Sequence, residues 1–359
     1  MIERRFDVQG LRGLAVISIV LFNFFPSLFP YGFLGVDVFF TISGFLTAKS
    51  LEFCSFSLYS LARFYLNRAR RIVLLILLTI LSCAVASAFL RSHDEITKPA
   101  LLSSFFIMNL LTRTTREEDY YEFLSKADGL FTHLWSLSVE VQFYIIAPAL
   151  LLIYKPNNKN RWRSFALLTA VSIASLVHNL SASLQNTFAS TPARLWQFLM
   201  GAMAFHAHLV FSGKMHVSKR EPTATGIIIL YEFSLLSTMA TVCFGDSELN
   251  FRLWTTYSVA FMIANVNFKF LHIPSLQTIG EASYCLYLIS WPIACVLARF
   301  SLIWNFIGMA LSVVLAVIMH RYFEKWCTRL PQKDSLMLIG GMYAVTLTAI
   351  GTSAYFGRA

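Results

Sequence analysis

Apolar runs of bilayer length follow one another along almost the whole chain. They lie near residues 11–30, 33–52, 72–90, 133–154, 164–181, 194–212, 224–244, 252–270, 281–300, 302–321 and 335–354, with a shorter one at 99–112. A helix needs about 17 to 25 apolar residues to cross the hydrocarbon core, and a backbone in lipid must satisfy its own N–H and C=O groups. The sequence therefore predicts an all-α, polytopic transmembrane helix bundle of about 10–12 membrane-spanning helices. Composition points the same way: 57% of residues are hydrophobic and only 13% are charged, where a soluble domain carries about 25%. No Gly/Ser/Pro linker, charge block, low-complexity tract or internal repeat interrupts the series, so residues 1–359 read as a single integral membrane domain.

The first apolar run follows Arg4 and Arg5, as in a signal peptide, but no small-residue cleavage site comes after it and a second span begins almost at once. Arg4 and Arg5 before the first span, with Lys49, Arg63, Arg68, Arg70 and Arg71 after the second, place the N-terminus on the cytoplasmic side by the positive-inside rule. The formal charge of +10 is dispersed along helix borders. It suits anionic lipid, and no nucleic-acid partner is expected. Cys54, Cys83, Cys243, Cys285, Cys295 and Cys327 show neither close pairs nor metal-ligand spacing, and read as small packing residues. Asn179-Leu180-Ser181 is a glycosylation sequon abutting a span, a tripeptide that also arises by chance.

Polar residues inside the spans are the candidates for function, because each is costly in hydrocarbon unless it faces a partner or a cavity. Arg12 and Asn23, eleven positions apart in the first run, are separated by about three helical turns and roughly 16 Å, on one face. Asp37 follows a Gly-containing turn at the start of the second span and suits either an N-cap or a cleft. Ser43 and Gly44 beside it read as helix-packing residues. His133, Ser136 and Glu140 fall on one helical face, where a His and a carboxylate form an acid/base pair or an N-terminal polar cluster. Arg194 pairs Glu140, holds an anionic substrate or snorkels to the interface. A later span carries Glu281, Tyr284, Tyr287 and Ser290 before Pro292, which frees a carbonyl one turn back.

Taken in order, Asp7–Gly13, Gly32–Gly44, Arg63–Arg71, His133–Tyr144, Arg194–Gly201, Ser283–Pro292 and Arg321–Lys325 resemble the acyltransferase-3 family of integral membrane O-acyltransferases. The resemblance runs from about residue 5 to 331 and leaves 335–354 as an extra C-terminal span; no segment resembles the soluble hydrolase-like domain some members carry. It implies transfer of an acyl group, acetyl above all, from acyl-CoA to a hydroxyl of a carbohydrate or lipid. No tightly bound cofactor and no metal are expected. The family pattern pairs an Arg with a His eleven residues later as general base; here the positions hold Arg12 and Asn23. A second family His, before the late Trp-Pro, corresponds to Ser290, and an adjacent Glu-Glu to Glu140-Val141. A carboxamide orients a hydroxyl but does not take its proton near neutral pH.

The resemblance assigns Arg12, Arg63, Arg68, Arg70 and Arg71 to the CoA phosphates, which guanidinium groups bind in bidentate fashion. It assigns Asn23, Asp37, His133, Glu140 and Ser290 to the chemistry, and Arg194 and Tyr287 to substrate. The catalytic group and Arg12 are expected to converge on one cavity. Three functions remain open: an acyltransferase whose base is His133 or Glu140, a pseudoenzyme that binds CoA or lipid as a regulatory partner, and a transporter. The last would show opposed repeats with broken helices, which the sequence lacks.

Overall fold

The computed structural model describes residues 5–52, 57–90, 97–114, 129–152, 161–181, 187–211, 247–265, 269–297 and 301–356. The apolar window near 224–244 lies outside the described residues, as do Cys54 and Cys243. Every regular element among the described residues is helical. The α-helices are α1 (Phe6–Phe24), α2 (Gly35–Glu52), α3 (Leu58–Leu90), α4 (Thr97–Ser104), α5 (Met108–Thr114), α6 (Leu134–Leu152), α7 (Arg161–Ser181) and α8 (Thr191–Phe211). There follow α9 (Ser247–Asn265), α10 (Pro274–Glu281), α11 (Ser283–Leu297), α12 (Leu302–Ile318), α13 (Lys325–Arg329) and α14 (Gln332–Phe356). A π-helical turn, Met319–Glu324, joins α12 to α13.

Five stretches among the described residues are long and apolar enough to cross a membrane: Phe6–Phe24, Gly32–Glu52, Leu58–Ala86, Leu302–Arg329 and Gln332–Thr352. A sixth arises if α10 and α11, bent by 69° at their junction, count as one broken span. Leu134–Leu150 and Phe165–Ser181 are shorter apolar helices, and the 99–112 window divides between α4 and α5. The chain is an integral, multi-pass helical membrane protein. On α12, Leu302, Ile303, Phe306, Ile307, Leu311, Val314 and Ile318 are exposed at helical spacing. Among the described residues nothing covers that face, and it suits hydrocarbon.

The backbone divides into two compact units, each built from separate stretches of chain. The first comprises Met1–Ile19, Tyr31–Ser55 and Gln142–Gly280. Its centre is the pairing of α2 with α8, where backbones approach because side chains are missing. A Cβ at Gly44 would overlap the Phe198 carbonyl, and one at Gly201 would overlap that of Thr41. Phe198 then stacks between Phe40, at 4.6 Å, and Phe143, at 4.2 Å. The α7 helix is tied in by Ser175, whose hydroxyl donates to the Pro192 carbonyl at 2.6 Å and accepts from the Trp196 N–H at 3.0 Å.

The second unit comprises Val20–Pro30, Phe56–Val141 and Glu281–Ala359. Here α11 lies against α12, where Gly308 lets Leu297 and Phe24 pack closely. Asn305 caps the end of α1 by donating to the Phe24 carbonyl at 2.9 Å. The 33-residue α3 measures about 50 Å at 1.5 Å per residue, well beyond a hydrocarbon core of about 30 Å. Its basic first turns therefore have room outside the apolar layer, while Leu74, Leu75, Ile76 and Leu77 are fully buried.

Candidate active site

The α11 helix organises the polar interior of the second unit. Tyr287, Ser290 and Trp291 fall at i, i+3 and i+4, and so share one face. Asn23 Nδ2 donates to the Ser290 hydroxyl at 3.2 Å, and Ser290 is fully buried. One turn away, the Tyr287 hydroxyl donates to the His133 carbonyl at 2.7 Å and accepts from the Ser136 hydroxyl at 2.6 Å. The Trp291 Nε1–H donates to the Gly129 carbonyl at 3.2 Å. These bonds hold the turn Gly129–Thr132, itself closed by a Thr132 N–H to Gly129 carbonyl bond of 3.1 Å, at the head of α6.

His133 sits between two aromatic rings, 5.6 Å from that of Tyr287 and 6.2 Å from that of Trp291. It is buried, and neither ring nitrogen makes a hydrogen bond of ordinary geometry; the Leu288 backbone is in longer reach. Held by its rings, a neutral imidazole keeps one nitrogen whose lone pair can accept a hydrogen bond from a bound hydroxyl. Ser136 spends its hydroxyl on Tyr287, not on capping α6. Glu140, further along the same helix and half-buried, is in electrostatic reach of Tyr284 and Tyr287.

Asp37 belongs to the first unit and is wholly buried there. Arg252 Nη1 reaches both its carboxylate oxygens, at 3.2 and 3.0 Å, and Gln197 Nε2 donates to Oδ1 at 2.6 Å. Arg194 Nη1 lies 3.6 Å from Oδ1, and Arg252 pairs also with Glu248 at 2.5 Å. The two guanidinium groups are covered by aromatic rings, Arg252 over Phe33 at 4.7 Å and Arg194 over Phe188 at 5.4 Å. Two Arg against Asp37 and Glu248 is a charge-balanced set, as buried charges require. Arg194 thus pairs with Asp37, an arrangement outside the roles the sequence suggested for it. Gln197, Arg252 and Glu248 were missed; the Glu248/Arg252 spacing of i, i+4 at the head of an apolar helix was the available signal.

Among the arginines assigned to phosphate, Arg12 is buried in the first-unit stretch of α1. In the second unit Arg63 is exposed on α3. Arg68 lies 5.2 Å over the Phe64 ring. Arg70 donates to the Leu330 carbonyl at 2.7 Å and to Asn67, and Arg71 Nε is 3.3 Å from Glu324 Oε1. The structure thus brings Asn23 to Ser290, His133 to Tyr287, and Asp37 to Arg194, the latter pair in a separate unit from the others.

Comparison with known proteins adds a family. The acyltransferase domain matches residues 5–321. The chain is 26% identical over 343 residues to the O-acetyltransferase OatA of Staphylococcus aureus strain NCTC 8325 / PS 47, and equally to that of strain COL, which covers 88% of this chain. The chain spans 56% of the length of these curated relatives. No solved structure matches it. With the domain match extending over most of the residues described above, the chain belongs to the acyltransferase-3 family.

Proposed function

We propose that this protein is a membrane O-acyltransferase that moves an acyl group, acetyl above all, from acyl-CoA to a hydroxyl of a carbohydrate or lipid acceptor. The observation that carries the reading is the α11 face, on which Ser290 holds Asn23 while Tyr287 and Trp291 flank the uncommitted imidazole of His133. His133 removes the acceptor's hydroxyl proton as the oxygen attacks the thioester carbonyl. Asn23 and Ser290 orient that hydroxyl, and Glu140 favours the imidazolium that forms. The carbonyl–sulfur bond then breaks, and the CoA thiolate leaves with the proton returned to it. Arg63, exposed on α3, and Arg68 beside it bind the CoA phosphates, with the N-terminus on the cytoplasmic side.

The family His position falls on Asn23 in this reading, so the base comes from the turn at the head of α6. A second reading rests on the same residue: a carboxamide at that position leaves a pocket that binds acyl-CoA without turning it over. Both are tested with the purified full chain in detergent, following thermal stabilisation by acetyl-CoA together with release of free CoA. Release that falls in Arg63→Ala and His133→Gln supports the enzyme. Stabilisation that depends on Arg63 with no release in the wild type favours the pseudoenzyme. Absence of both overturns the acyl-CoA reading.

A further inference from the structure

Outside the face just described, the second unit contains a cluster of three different ligand types. Cys285, on α11, and His320 and Glu324, in the π-helical turn Met319–Glu324, bring one ligand atom each to within 4.8 Å of one another. The Cys285 thiol and His320 Nδ1 both converge on the same carboxylate oxygen, Glu324 Oε2, at 3.3 and 2.7 Å. Cys285 and Glu324 are buried, and His320 is nearly so. We propose that Cys285 Sγ, His320 Nδ1 and Glu324 Oε2 bind a zinc ion, with water completing a tetrahedral set.

The donor chemistry and the surroundings both favour this ion. Thiolate, imidazole and carboxylate are the ligand types zinc takes, at about 2.0 to 2.3 Å, which sets donor–donor separations near 3.4 Å in a tetrahedron. The thiol–carboxylate distance already matches, and the His–Glu distance opens slightly on binding. The remaining atoms of Glu324 and His320 each face a group that orients the ligand. Glu324 Oε1 is engaged by Arg71 Nε at 3.3 Å, leaving Oε2 for the metal. His320 Nε2 faces Glu281 Oε2 at 3.9 Å without a hydrogen bond, the position of the carboxylate that orients a metal-bound imidazole. Zinc with thiolate and carboxylate is neutral, and Arg71 balances Glu281, so the assembly carries no net charge. Binding forms Zn–S, Zn–N and Zn–O bonds and releases the thiol proton to solvent.

The π-turn supplies the geometry. Such turns are rare and concentrate at functional sites, and this one carries two ligands four residues apart. The metal would pin that turn to α11, the helix that also carries Tyr287 and Ser290. The alternative without metal is a protonated His320 shared between Glu281 and Glu324, with Arg71 alongside.

The full chain, stripped with a chelator in detergent, is titrated with Co²⁺ and then Zn²⁺. The expected result is a thiolate-to-cobalt absorption that saturates at one ion per chain and is abolished by Zn²⁺. The band disappears in Cys285→Ser and persists in Cys83→Ser, a buried cysteine outside the cluster. Cobalt affinity drops at least tenfold in His320→Gln, which serves if Cys285→Ser does not elute as a single species. Wild type without the band, or a band unchanged in Cys285→Ser or His320→Gln, overturns the proposal. So does a thermal midpoint unaffected by either chelator or Zn²⁺. Neither readout involves acyl transfer, so this test stands apart from the proposed activity.

Discussion

Asn23 hydrogen-bonds to Ser290 across 3.2 Å, joining the end of α1 to the middle of α11 within the second unit. The bond gives Asn23 a fixed orientation and no means of taking a proton, since a carboxamide does not titrate near neutral pH. In the proposed reaction an acceptor hydroxyl oriented by this pair passes its proton elsewhere, and His133 packs against two other residues of the same helix face. The roles of Asn23 and His133 then separate by magnitude. Losing one orienting hydrogen bond costs about 0.5 to 1.5 kcal/mol, so Asn23→Ala is expected to slow CoA release by about tenfold at most. His133→Gln, losing a positioned base, is expected to slow it about 10²- to 10⁴-fold. Initial rates on matched amounts of protein eluting as a single species check both; equal small losses would remove His133 from the chemistry.

Tyr287 bridges the His133 carbonyl and the Ser136 hydroxyl, so its own hydroxyl fixes the head of α6. Tyr287→Phe keeps the ring against His133 and removes only these bonds, leaving the Ser136 hydroxyl to the His133 carbonyl 3.3 Å away. The expected outcome is a loss of about 0.5 to 1.5 kcal/mol, seen as a lower thermal midpoint, with slower turnover because His133 is less well placed. A midpoint equal to that of wild type would show that the bridge does not hold the turn.

The buried set around Asp37 behaves as structure. Asp37→Asn leaves Arg252 and Arg194 without their central carboxylate, and removing one partner of a buried pair costs about 3 to 5 kcal/mol. Converting Arg252 as well, in Asp37→Asn/Arg252→Gln, removes much of the uncompensated charge. Thermal unfolding in detergent should show the single variant less stable than the double. A double variant that is the sum of the singles would mean that the two residues do not act as a pair.

Membrane class and helical fold were legible because they follow from the length and apolarity of the runs, which local sequence determines. The packing role of Gly44 was legible too, since small residues are what let helices approach. Partners were another matter. Asp37 meets Arg252 across 215 positions, and His320 meets Cys285 across 35; no spacing rule reaches that far. The thiol of Cys285 read as filler because its neighbours in sequence are apolar, while its neighbours in space are His320 and Glu324. The π-turn that aligns those two is likewise invisible to a pattern read at 3.6 residues per turn. Arg71 shows the converse: the family resemblance marked it for phosphate, yet the fold pairs it with Glu324.

That pairing divides the basic group on α3. Arg70 is bound to Leu330 and Asn67 and Arg71 to Glu324, whereas Arg63 is exposed. Arg63→Ala is expected to weaken stabilisation by acetyl-CoA without moving the ligand-free midpoint, because an exposed side chain contributes mainly through charge. Arg71→Ala is expected to lower the ligand-free midpoint, since it leaves the buried Glu324 carboxylate short of its counter-charge. Measuring both midpoints with and without acetyl-CoA separates ligand binding from folding; a fall in the ligand-free midpoint of Arg63→Ala would contradict its exposed placement.

The α2–α8 crossing makes the sharpest comparison, because it sets two glycines of one chain against each other. A Cβ at Gly201 has no free volume: the Thr41 carbonyl occupies the place, and backbone on a packed helix yields only if the whole crossing opens. At Gly341, on α14, no atom lies within 4 Å of the added Cβ. Alanine is the better helix former by about 1 kcal/mol at both positions, so propensity alone predicts that both substitutions stabilise. Packing reverses the sign at Gly201, where overfilling costs about 1 to 3 kcal/mol, and leaves it unchanged at Gly341. Gly201→Ala should therefore unfold at a lower temperature than wild type, and Gly341→Ala at the same or a higher one. Equal midpoints for the two variants would show that α2 and α8 do not cross as closely as Gly44 and Gly201 allow.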